Sequence, residues 1–165
     1  MAATASAAVK QIKKWHGDSE SNGRAQRDIM SRYNRLMGCH KSVKTTAWCA
    51  ITIVVMLWLI GVKTFCKSAG CTQQMRWYKK KKRWKDRGVT PQIGWIPMYH
   101  FKKWDKKKKK YVRKSVPGHT GCVIAVNTKK HLMQVEEGNN KNAVRTRTID
   151  YRSLDIMGFC LPYYK

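Results

Sequence analysis

Residues 45–62 read TTAWCAITIVVMLWLIGV, with Lys44 and Lys63 on either side and no charge between them. The meaning of this run decides the fold. If all 18 residues are helical, a rise of about 1.5 Å per residue gives roughly 27 Å, close to the hydrocarbon thickness of a bilayer. Ile51, Val54, Val55 and Leu57 leave no polar stripe, and Trp48 and Trp58 fall toward the two ends, where indole rings favour a membrane interface. The sequence-based expectation is therefore a single transmembrane helix over 45–62. The competing reading of the same apolar pattern is a helix enclosed in a protein core.

Outward from this run the chain is strongly basic, with 35 Lys and Arg against 9 Asp and Glu and a formal net charge of +26. Such a charge repels itself and calls for anionic partners. Flanking charge favours the C-terminal side of the span as the cytoplasmic or matrix side, because Lys63, Lys67, Arg76 and Lys79 to Lys82 outnumber Arg27, Arg32, Arg35, Lys41 and Lys44. Residues 1–17 hold no acid and carry Lys10, Lys13 and Lys14 among small residues, a composition similar to an organellar targeting segment.

The expected fold class is α+β: an amphipathic helix, the transmembrane helix, a basic extension and a small antiparallel β domain. Residues 1–23 are expected to form a flexible N-terminal segment. Residues 24–38 form the amphipathic helix, with Ile29, Met30, Tyr33, Leu36 and Met37 on one face and Gly38 as its stop. Residues 66–118 form the basic, aromatic-rich extension, where Pro91 and Pro97 oppose one continuous helix. Residues 119–165 form the β domain. Its strands are expected over 121–127, 131–136 and 143–149, with turn residues Gly138, Asn139 and Asn140 between the last two.

The extension supplies the candidate contact residues. Lys79, Lys80, Lys81, Lys82 and Arg83 form one basic run, and Lys106, Lys107, Lys108, Lys109 and Lys110 form a second. Trp77, Trp84 and Trp104 are interleaved with them. Lysines neutralise phosphates, while aromatic rings stack on bases or lodge at headgroup depth. The partner expected is anionic lipid such as cardiolipin, or RNA.

No catalytic, cofactor or metal site is expected. The six cysteines show no C-x2-C spacing, although Cys66 and Cys71 are close enough in sequence to pair on an oxidising face. His16, His40, His100, His119 and His131 are scattered, and the carboxylates show no paired catalytic motif. Pro117 to Gly121 reads as a turn entering a strand and lacks the spacing of a phosphate-binding loop. The stretch Gly121 to Val126, followed by Gln134 to Glu137 and Asn139, is faintly similar to the SH3-like motif of some ribosomal proteins.

These observations give three expectations. The first is a non-catalytic, single-pass accessory subunit of a large multiprotein assembly, in a mitochondrial inner-membrane respiratory or ATP synthase complex, with its C-terminal side in the matrix. Its partners would be other subunits and anionic lipid. The alternative is an RNA-binding structural protein of an organellar ribosome. A weaker alternative is a membrane-associated structural protein of a virion.

Overall fold

A computed structural model describes residues 3–165. The apolar run is helical only over α3, Cys49–Leu59, where the sequence suggested a helix over 45–62. Before it, the backbone N–H groups of Thr45 and Thr46 close a turn onto Ser42 O. After it, Gly61 adopts a left-handed conformation (φ 81°) and turns the chain away. Eleven residues give a helix of about 16 Å, roughly half a bilayer core. Among the described residues no helix is long and apolar enough to cross a membrane.

The transmembrane assignment is thus overturned, and with it the inner-membrane location and matrix-side orientation that rested on it. Trp48, Ile51, Val54, Val55 and Leu57 are buried and Trp58 is partly buried, but protein covers them. Around α3 pack α1 (Ala5–Lys13), a π-helical turn (Gln26–Met30), α2 (Ser31–Met37) and strands of both sheets. A helix apolar on every face can be enclosed by protein or lipid, and periodicity cannot tell them apart.

The surrounding helices bury one face each. In α1, capped by Thr4 Oγ1, which accepts from Ala7 N at 3.1 Å, Ala8 and Ile12 are buried. The expected amphipathic helix divides into the π turn and α2, with Ile29, Met30 and Tyr33 buried and Met37 exposed. It ends at Gly38 (φ 63°). A further helix, α4 (Cys71–Lys80), occupies the start of the expected basic extension.

Among the described residues seven strands form two antiparallel sheets. The first pairs β1 (Trp84–Asp86), β7 (Ile156–Cys160), β2 (Ile96–Asp105) and β3 (Lys110–Thr120), in the order β1-β7-β2-β3. The second is the meander β4 (Cys122–Asn127), β5 (Leu132–Asn140) and β6 (Ala143–Asp150). Gly121 alone separates β3 from β4. A Cβ there would sit 2.7 Å from Glu136 O and 2.8 Å from Glu137 Cγ, so this crossing from sheet to sheet requires glycine.

Strand alternation divides the core. Tyr99, Val123, Met133, Val135, Ile156 and Phe159, drawn from both sheets, form one cluster. Their neighbours Met98, Cys122 and Cys160 join the larger cluster built on the helices. The C-terminus docks on the body, with Tyr164 Oη donating to Gly94 O at 2.7 Å and Lys165 N to Ala3 O at 2.8 Å.

Candidate active site

Cys49 is the first residue of α3. The preceding residue, Trp48, provides no side-chain cap; its indole Nε1 donates to Glu20 Oε1 at 3.1 Å and its carbonyl accepts from Thr52 Oγ1 at 2.8 Å. The first N–H groups of a helix have no intrahelical acceptor and carry the positive end of its dipole. A thiol at this position is biased toward thiolate.

His119, next to last in β3, lies close enough to Cys49 for each group to bias the other's charge. Its Nε2 lies 2.9 Å from Glu137 Oε2 in β5. Nδ1 is the ring nitrogen that Glu137 leaves free. Thiol, imidazole and carboxylate thus come from a helix start and from strands of two different sheets.

The carboxylate end is fully buried and fixed by three groups. Besides His119, Glu137 Oε2 accepts from Asn140 Nδ2 at 3.0 Å and contacts Arg147 Nη2 at 3.1 Å. Tyr99 stacks on the His119 ring, with centroids 6.0 Å apart and planes at 23°, and the Arg147 guanidinium lies 5.0 Å from the Tyr99 ring centre. Gly138 brings β5 onto α3. A Cβ there would fall 2.8 Å from Thr52 Cβ and closer still to its hydroxyl, less than one helical turn from Cys49.

These contacts shift the titrations in a consistent direction. The Cys71 thiol beside it pulls the Cys49 thiol well below the ordinary thiol range, against burial, and His119 adds to the effect. Burial disfavours the His119 cation, but Cys49 and Glu137 outweigh it and raise the imidazole to about 9. Both shifts favour the charged form, thiolate at Cys49 and imidazolium at His119.

The Cys71 Sγ lies 3.7 Å from the Cys49 Sγ. Cys71 is itself the first residue of α4. The sulfur neighbour of Cys71 is thus Cys49, which the sequence placed inside a membrane. All six cysteines are free.

A second histidine–carboxylate pair lies one residue away and lacks a nucleophile. His16 Nδ1 is 2.7 Å from Glu136 Oε1, and Thr146 Oγ1 donates to Glu136 Oε2 at 2.6 Å. A cleft of about 970 Å³ borders His16 and is lined by none of Cys49, His119 and Glu137. A smaller cleft of about 250 Å³ is lined by His119 with Tyr99, Phe101, Gly118 and Arg147, while Cys49 and Glu137 lie behind its wall. Among the described residues no group of three or more His, Cys, Asp or Glu has the arrangement of a metal site.

The residues expected to contact anions lie elsewhere. Lys79, Lys80, Lys81 and Lys82 are exposed at and just beyond the C-terminal end of α4, where lysine suits the helix dipole. Arg83 is turned inward, with Nε and Nη2 donating to Leu161 O and Pro162 O at 3.1 and 2.9 Å. Trp77 packs edge-on against Tyr78 and Tyr163, and Trp84 Nε1 donates to Asp86 Oδ1 at 2.8 Å. Lys106, Lys107, Lys108, Lys109 and Lys110 sit at the tip of the β2–β3 hairpin, whose turn is fastened by Asp105 Oδ1 accepting from Lys107 N and Lys108 N. Exposed Trp104 meets Tyr111 there edge-to-face at 5.2 Å.

Sequence reasoning missed Cys49, His119 and Glu137 as a group. The usable signal was Trp48-Cys49 opening an apolar helix, with Gly118-His119 near the end of one strand and Glu137-Gly138 toward the end of another. No family model, curated protein or solved structure matches this chain.

Proposed function

We propose that the protein is a cysteine hydrolase or acyltransferase that works through a thioester on Cys49. The observation that carries this reading is the His119–Glu137 pair, 2.9 Å apart, placed where it biases the charge of the Cys49 thiol at the N-terminus of α3. An activated nucleophile, a base within reach and a third group orienting that base are the parts acyl transfer needs. The proposal departs from the expectation of a non-catalytic protein because strands distant in sequence bring these groups together.

Each group has a role that follows from its position. The Cys49 thiolate attacks an acyl carbon, and the oxyanion that develops meets the unbonded N–H groups of the first turn of α3. The His119 imidazolium gives its proton to the departing amine or alkoxide. The neutral imidazole then takes a proton from water as water attacks the thioester, releasing the acid and restoring the thiolate. Glu137 holds the ring with Nδ1 free and stabilises its positive charge, and Tyr99 limits rotation of the ring. The dipole of α3 and the absence of an acid in its first turn favour negative charge on sulfur.

Acylation by p-nitrophenyl acetate tests this reading. The expected result is one acetyl group per protein, trapped on Cys49 by acid quench and located by peptide mass spectrometry, and lost in Cys49→Ser and His119→Ala. Acetylation spread over several cysteines, or unchanged in His119→Ala, overturns it.

A second reading concerns the β2–β3 hairpin. Its five consecutive exposed lysines beside an exposed Trp104–Tyr111 pair favour contact with a polyanion such as RNA. This role is compatible with catalysis at Cys49.

A further inference from the structure

The pairing of Cys49 with Cys71 has chemistry of its own. Two free thiols, both nearly excluded from solvent, face each other at 3.7 Å from the first residues of two helices. Their juxtaposition is held from the side. Gln74, one turn into α4, donates from Nε2 to Ala50 O at 3.0 Å and to Ser68 O at 2.8 Å, tying the start of α4 to the start of α3. A disulfide requires the sulfurs to close to about 2.05 Å, a change within reach of side-chain rotation when the helix starts are already adjacent.

We infer that Cys71 is a resolving thiol, and that a hydroperoxide converts Cys49 and Cys71 into a reversible disulfide that switches the site off. This rests on the reading of Cys49 as the reactive thiolate. In the first step the Cys49 thiolate attacks the distal oxygen of the peroxide. The S–O bond forms, the O–O bond breaks, and hydroxide or alkoxide leaves; sulfur is oxidised to sulfenic acid and the peroxide is reduced. In the second step Cys71 sulfur attacks the Cys49 sulfenic sulfur. The S–S bond forms, the S–O bond breaks, and the Cys71 proton leaves with the hydroxyl as water.

The order of events follows from charge. While Cys49 is a thiolate, the Cys71 S–H donates to it and is held protonated, so Cys71 is inert. Oxidation of Cys49 removes the negative charge that held this proton. Cys71 then becomes the nearest nucleophile to an electrophilic sulfur. Without it, excess peroxide would carry Cys49 on to sulfinic acid, which does not revert. Cys122 and Cys160 are equally buried, but neither has a thiol partner in hydrogen-bond contact.

Peptide mapping of the intact protein tests the inference. Wild-type protein treated with a small excess of hydrogen peroxide and blocked with N-ethylmaleimide is expected to yield a Cys49–Cys71 cross-linked peptide, two mass units lighter than the two thiol peptides together, that dithiothreitol removes. In Cys71→Ser the same dose is expected to give a dimedone-reactive sulfenic acid on Cys49, then a sulfinic acid that dithiothreitol does not reverse. The wild-type map needs no variant. If it shows no Cys49–Cys71 link while Cys49 is oxidised to sulfinic acid, the inference is wrong. A link that forms in a protein that never acetylates at Cys49 sinks the hydrolase reading and leaves the thiol pair standing. Acetylation without the link does the reverse.

Discussion

His119 Nε2 lies 2.9 Å from Glu137 Oε2, although β3 and β5 belong to different sheets. That contact depends on Gly121, which lets the chain pass from one sheet to the other within a single residue while Glu136 and Glu137 lie against it. The buried carboxylate and the ring it orients are therefore a product of the fold's one tight sheet-to-sheet crossing. Glu137→Gln keeps the shape, removes the negative charge and leaves Arg147 without its ion-pair partner. The Cys49 acetylation rate is expected to fall by about 100-fold or more. The His119 imidazole, followed by NMR, is expected to titrate well below its value of about 9. An unchanged titration would separate Glu137 from the site.

The pH profile follows from the two shifted groups. As pH falls, the thiolate disappears when Cys49 is protonated, below the ordinary thiol value of 9. As pH rises through about 9, His119 loses the proton it must donate. Steady-state ester hydrolysis is expected to be bell-shaped, with its alkaline limb near pH 9. A rate that climbs through pH 9 toward an ordinary thiol plateau contradicts the ion pair.

Gly138→Ala forces a methyl group into Thr52. Overpacking of this kind costs about 1–3 kcal/mol, and here the strain falls between the strand bearing Glu137 and the helix bearing Cys49. Urea denaturation is expected to show a lower midpoint with an unchanged slope. Cys49 reactivity is expected to fall in conditions where the variant is still folded. Wild-type reactivity in a destabilised variant would show that the approach of β5 to α3 does not set the site.

Val55→Arg separates a core helix from a lipid-facing one. Val55 has no exposed surface, and a charge placed there without a partner costs several kcal/mol. The whole chain is expected to lose cooperative unfolding and protease resistance in aqueous buffer. If the variant stays folded, α3 is not the centre of the core.

The basic residues divide into two groups. Replacing Lys106 to Lys110 with Gln is expected to leave the denaturation midpoint unchanged. It should reduce the salt dependence of single-stranded RNA binding by about 0.7 for each phosphate that is no longer neutralised. Arg83→Gln, which removes donors to Leu161 O and Pro162 O, is expected to destabilise the fold by about 1–3 kcal/mol with little effect on that salt slope.

Local signals were readable in the chain. Gly38 ends α2, and the three strands expected over 121–127, 131–136 and 143–149 correspond to β4, β5 and β6, although β5 runs through Gly138, Asn139 and Asn140, where a turn was expected, and the chain turns at Lys141 and Asn142. These features follow from turn chemistry and alternation over a few residues. The apolar run misled because hydropathy reports that α3 avoids water and is silent on whether protein or lipid covers it. Gly61 and the turn at Ser42–Thr46 set its real length, and both are weak signals beside so many apolar residues. The site was illegible for a different reason. Cys49, His119 and Glu137 have no short-range spacing, and they meet only because two sheets pack around one helix start. The hairpin lysines looked like part of an extension, since strands that alternate charge with aromatic residues lack the apolar face by which strands are usually recognised.

The rate of Cys49 alkylation by iodoacetamide, followed against pH by peptide mass spectrometry in the fully reduced protein, tests the central claim most directly. A thiolate stabilised by Cys71 and His119 at the start of α3 predicts that Cys49 reacts well below pH 8, faster than Cys39 and Cys66 in the same sample, and that His119→Ala moves its profile toward higher pH. If Cys49 reacts no faster than those two cysteines and His119→Ala leaves its profile in place, the thiolate–imidazolium pair does not exist and the account fails.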